Sequence, residues 1–92
     1  MDIYVEMARK IIEQQEAIIG PLAVEQARKV PTISVNWSKH SVTLSGDESL
    51  AIDQLVNQYK RLFGRVSVEV CKDVTAQLLA QLPADKQPES LR

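Results

Sequence analysis

Arg65-Val66-Ser67-Val68-Glu69-Val70 is the stretch on which the fold turns. Its three valines alternate with polar residues at a period of two, the pattern of a half-buried strand built from β-branched residues. A strand here constrains everything before it. The segment just upstream has helical spacing, with Ile52, Leu55, Val56, Tyr59, Leu62 and Phe63 on one face. It therefore reads as a crossover helix that delivers the chain to a parallel neighbour, in the usual right-handed sense. Gly64 follows the last apolar residue, where a left-handed cap belongs.

Working outward, Ser45-Gly46-Asp47-Glu48 has the Ser-x-x-Glu spacing of a capping box and marks the start of that helix. Before it, Ile33, Val35 and Trp37 alternate with Ser34, Asn36 and Ser38, and Val42 and Leu44 alternate with Ser41, Thr43 and Ser45. These runs predict a β-hairpin turning at Ser38-Lys39-His40. The first segment, Ile3 to Ile19, carries Tyr4, Met7, Ile11 and Ile18 in a helical stripe widened by Ala8, Ile12 and Ile19. Gly20-Pro21 breaks it, because glycine suits a helix end and proline the first position of the next helix. Leu22 to Lys29 is then a second, short helix, limited by Pro31, or the two pieces form one long helix kinked at Pro21. Downstream, Asp73 caps a last short helix bearing Val74, Leu78, Leu79 and Leu82, ended by Pro83. No internal repeat is evident.

The expected class is α+β, in the order α-α-β-β-α-β-α, with a three-stranded mixed sheet and helices on one of its faces. Residues 1–82 form the single domain, and 83–92 a flexible polar tail. The polar sheet face would carry Ser34, Asn36, Ser41, Thr43, Ser67 and Glu69, and is either wet or docked on a partner.

Ninety-two residues with 45% apolar and 25% charged content describe an ordinary globular chain with one modest core. Only four aromatic residues are present, so that core is aliphatic. A net charge of −1 gives no general attraction to nucleic acid or to an anionic membrane. Met1-Asp2 leads into the amphipathic segment without the features of a secretory leader, and no apolar run reaches a membrane span of about 20 residues. With Cys71 the lone cysteine, a reducing, cytoplasmic setting is expected.

Catalytic chemistry is sparse. His40 falls in the predicted turn, where a solvated side chain is the ordinary reading. Cys71 has no evident base to activate it. One Cys and one His do not make a metal site, and three glycines make no phosphate-binding loop. No catalytic, cofactor or metal residue is assigned, and the chain is expected not to be an enzyme.

Ile18-Ile19-Gly20-Pro21-Leu22-Ala23, with Val24 to Lys29 after it, resembles an Ile-Gly-Pro-Leu/Ile-Ala element found near the ends of some bacterial signalling proteins, including serine/threonine kinases. The whole chain is also similar to small uncharacterised bacterial α/β proteins classed as domains of unknown function. The resemblance implies an accessory or regulatory module and transfers no functional residue.

Helical apolar surface exceeds what one small sheet face can cover, so the expected role is a protein-interaction or regulatory module that pairs as a homodimer, with a different protein as another possible partner. The candidate interface is Tyr4, Met7, Ile11 and Ile18 of the first helix, with Trp37 as an anchor. The alternative is nucleic-acid binding through a basic cluster of Lys39, Lys60, Arg61 and Arg65.

Overall fold

The computed structural model describes residues 2–92. Helix α1 runs Ile3–Ile19 and is capped by Asp2, whose carboxylate accepts from the amides of Tyr4 (2.9 Å) and Val5 (3.4 Å). After Gly20-Pro21 comes α2, Leu22–Arg28. Strands β1 (Ile33–Asn36) and β2 (Ser41–Leu44) pair antiparallel, with Ile33 opposite Leu44 and Asn36 opposite Ser41. This is the hairpin expected from the alternation. Its connection is a 3₁₀ turn, Trp37–Lys39, closed by His40 in the left-handed region (φ 49°, ψ 42°). Helix α3 spans Glu48–Phe63. Its cap is Asp47, which accepts from the Leu50 amide at 3.1 Å, and not Ser45. Ser45 instead continues the hairpin by donating its amide to the Thr32 carbonyl at 2.9 Å.

The predicted third strand does not form. Arg65–Leu79 is one continuous helix, α4, which takes in both the alternating valines and the short helix expected from Asp73. Among the described residues the sheet therefore has two strands rather than three, no crossover exists, and the main elements follow the order α-α-β-β-α-α. The reason lies in what α4 buries. Ser67, Cys71 and Thr75, four apart, form its fully buried seam, and Val68, Val74, Leu78 and Leu79 pack beside it. Val66 points to solvent. Valine costs a helix only a few tenths of a kcal/mol relative to better formers. That is a small penalty against burial of the whole seam, and the helix satisfies its own backbone. Of the polar face expected for three strands, Ser34, Asn36, Ser41 and Thr43 are exposed on the hairpin, whereas Ser67 is buried and Glu69 exposed on α4.

The small seam lets α1 approach α4 closely. Gln15 of α1 is buried and donates from Nε2 to the Ser67 carbonyl (3.2 Å), with the same nitrogen 3.6 Å from Cys71 Sγ. Thr75 Oγ1 donates to the Cys71 carbonyl at 2.6 Å, which meets the needs of a buried hydroxyl. The other end of α4 lies beside Glu6 and Lys10, so the two helices run antiparallel. Helix α3 runs parallel to α1: Glu48 sits beside Asp2 at their starts, and Tyr59 beside Glu16 near their ends. Met7, Ile11, Ile12, Ile52, Leu55, Val56 and Tyr59 fill the space between the helices. The accessible surface is 5259 Å², close to the roughly 5,400 Å² that size scaling gives for a self-contained 10.3 kDa monomer.

The C-terminal residues, expected to be a free tail, fold back. Two 3₁₀ turns, Ala84–Lys86 and Glu89–Leu91, bring Pro88 and Leu91 into burial against α3 and α4. Asp53 Oδ1 of α3 accepts from both the Ser90 amide (2.9 Å) and the Ser90 hydroxyl (2.6 Å). Tyr4 donates its hydroxyl to the Lys86 carbonyl at 2.6 Å. The radius of gyration, 11.7 Å, is that of a compact chain of this length, about 12 Å.

Candidate interaction surface

Two helix corners in this chain are built alike. At Gly20 (φ 73°, ψ −155°) and Gly64 (φ 79°, ψ −167°) the backbone enters a positive-φ, extended region open essentially to glycine alone. Each glycine amide donates to the carbonyl four residues back, Glu16 and Lys60 respectively, both at 2.8 Å. Each glycine carbonyl accepts from the amide three residues on, Ala23 at 3.0 Å and Ser67 at 3.2 Å. The sequences match as well: Ile18-Ile19-Gly20-Pro21-Leu22 and Leu62-Phe63-Gly64-Arg65-Val66. In both, the residue before glycine packs on the core, while the apolar residues two before and two after it are left outside.

The exposures are 56% for Ile18, 40% for Leu22, 48% for Leu62 and 74% for Val66. Among the described residues these are four of the five large apolar side chains classed as exposed. The corners occupy one end of the molecule. Tyr59 donates its hydroxyl to the Ala23 carbonyl at 2.7 Å, Gln58 Nε2 to Gln26 Oε1 at 2.8 Å, and Gln15 reaches Ser67. These contacts tie the close of α1 and α3 to the start of α2 and α4. Basic residues rim this end: Lys60 and Arg61 in the last turn of α3, complementing its dipole, and Arg65 in the first turn of α4.

Of the residues expected to form an interface, Ile18 alone belongs to this surface. Met7 and Ile11 have no exposed area; they are core residues between α1 and its own neighbours. The apolar excess that motivated a partner on α1 is taken up by α4, the element misread as a strand. Tyr4 is half-buried at the far end. Trp37 is buried, donates from Nε1 to Glu16 at 3.0 Å, and stacks on His40 with ring centroids 4.3 Å apart. Of the basic cluster, Lys60 and Arg65 line one groove with Val68, Glu69 and Lys72. Lys39 is in the hairpin turn, whose neighbours Trp37 and His40 attach to α1 at Glu16 and Glu13. Leu22, Leu62 and Val66 were missed as surface residues; the repeated apolar-apolar-Gly-x-apolar pattern was the signal that could have found them.

The polar groups of reactive type are engaged structurally. Burial pushes the Cys71 thiol up to about 11, with Gln15 beside it acting weakly in the opposite direction. A thiol held protonated under α1 is a poor nucleophile. His40 Nδ1 lies 3.3 Å from Glu13, which also pairs with Arg9. Among the described residues, no cluster of three His, Cys, Asp or Glu side chains is placed to hold a metal ion. No helix of the described residues is long and apolar enough to cross a membrane. In comparisons with known proteins the chain matches no family model, and no curated protein or solved structure is significantly similar to it.

Proposed function

We propose that this protein is a non-enzymatic, self-associating protein-interaction module whose contact surface is the end bearing the two glycine corners. The observation that carries the reading is the placement of Ile18, Leu22, Leu62 and Val66, all exposed and all two residues from Gly20 or Gly64. Exposed apolar side chains at one end of a molecule, with basic residues beside them, are the composition of a contact site. A cytoplasmic setting fits the single, buried Cys71. The accessory or regulatory role implied by the Ile-Gly-Pro-Leu-Ala element fits as well, since that element is itself one of the corners. Nucleic-acid binding has less support: the net charge is −1, and Glu69 sits in the groove of Lys60 and Arg65.

The test is solution mass by light scattering over a wide range of protein concentration, for wild type and for Leu22→Asp combined with Val66→Asp. Wild type should exceed 10.3 kDa as concentration rises, and the variant should stay at it. A wild type that remains monomeric throughout, or a folded variant that assembles unchanged, would overturn the reading.

A further inference from the structure

We propose that self-association is head to tail, with the apolar end of one copy seated on the opposite, acidic end of the next. This rests on the self-association reading above and supplies the receiving surface. The fifth exposed apolar side chain, Leu50, at 53%, lies in the first turn of α3. Asp47, Asp53, Asp85 and Glu89 line a shallow cleft with it, and outnumber the one cation there, Arg92, whose guanidinium donates to the Ala84 carbonyl. Asp2 and Asp47 are accounted for as helix caps, but Asp85 and Glu89 belong to the C-terminal turns and cap no helix. At the corner end the balance has the opposite sign: Lys60, Arg61 and Arg65 outnumber Glu25 in the first turn of α2, and the Glu69 in their groove is paired with Lys72 at 3.8 Å.

The two ends are complementary but are separated by the length of α1, 17 residues or about 25 Å. One chain cannot bring them together, whereas a second copy can. Two-fold pairing of corner ends would bring two ends of the same net sign together, and like charges across an interface are costly. An acidic rim around Leu50 removes that repulsion and steers the approach. Because the two contacting surfaces differ, each added copy leaves one of each kind free, so the assembly grows as an open chain unless it closes into a ring.

Two surface substitutions test this by blocking one end each: Val66→Asp at the corner end and Leu50→Lys at the acidic end. Wild-type mass should pass that of a dimer as concentration rises, and salt should weaken the association. Each variant alone should remain monomeric. An equimolar mixture should form a heterodimer, because Val66→Asp keeps its acidic end and Leu50→Lys keeps its corner end. A Leu50→Lys protein that still dimerises with itself, and gains nothing from Val66→Asp, overturns head-to-tail pairing while the self-association reading stands. A wild type monomeric at every concentration overturns both. Should either variant lose its helical circular dichroism, Lys60→Glu replaces the first and Asp85→Lys with Glu89→Lys the second, with the same mixing result expected.

Discussion

Replacing Gly64 tests the joint on which the helical reading of the following residues depends. Its φ of 79° alone would suit the left-handed cap expected from the sequence, but ψ of −167° moves it well outside that region. A Cβ built there meets no atom within 4 Å, so the cost of Gly64→Ala is backbone strain and not collision. Strain of this type costs about 1–3 kcal/mol. A domain of this size is stable by only about 5–14 kcal/mol, so the loss is a visible share. At roughly 4–8 °C per kcal/mol, a 2 kcal/mol loss lowers Tm by about 8–16 °C. Asparagine sharpens the test, because it tolerates a left-handed cap but not this extended region. Urea denaturation of Gly64→Ala and Gly64→Asn should therefore give similar losses. A Gly64→Asn protein close to wild type, with only Gly64→Ala destabilised, would mean an ordinary left-handed cap and refute the corner geometry.

Three further outcomes follow from the same structure. Val66→Ala should be neutral or stabilising by up to about 0.5 kcal/mol in urea titrations, as expected for an exposed helical valine; a loss above about 1 kcal/mol would favour a strand. Leu91→Ala should cost about 2 kcal/mol or more in the same assay, because the side chain is buried; a free tail would lose nothing. Asp2 beside Glu48 raises the Glu48 carboxyl to about 7 from 4.5, while the same partnership holds Asp2 below its usual range. The folded protein thus keeps a Glu48 proton that the unfolded chain releases, so this contribution is present at low pH and declines as pH rises from about 5 to about 8. Asp2 acts in the reverse sense only at more acid pH, where its contribution is lost as pH falls. Denaturation midpoints should drop across the neutral window in wild type and drop less in Glu48→Gln; parallel profiles would remove the pair as a cause.

Much of the fold could be read from local chemistry. Gly20-Pro21 marks a break between two helical segments, which the sequence alone fits to a kink as well as to a corner, and the apolar spacing from Ile52 to Phe63 admits only a helix. The Ile33–Leu44 alternation predicts the hairpin; the Ser45-x-x-Glu48 spacing points to Ser45 as the cap of the next helix, whereas Asp47, two residues later, caps it with a carboxylate that needs no paired Glu. Arg65–Val70 failed for a specific reason. Its valines sit at strand period by residue type, but the buried positions are Ser67, Cys71 and Thr75, small residues that carry little hydrophobic signal. Their value is the close approach they permit to α1, which depends on a helix far away in sequence. The C-terminal turns were missed likewise, since they dock through only two apolar side chains, Pro88 and Leu91, and through polar bonds of Tyr4, Gln87 and Ser90 that carry no hydrophobic pattern. Exposure at the corners was hidden because Leu22 and Leu62 continue the same apolar spacing as buried neighbours; only the abrupt change of direction at glycine turns them outward.

The buried sulfur under α1 offers a clock for the opening of this molecule. With its thiol protonated and its access blocked by Gln15, Cys71 is closed to a water-soluble disulfide reagent while the helices are together. Modification then waits on excursions that separate α1 from α4, and the rate of colour release reports how often they occur. Comparing that rate with global unfolding would show whether the first helix peels away by itself or leaves only with the rest of the fold.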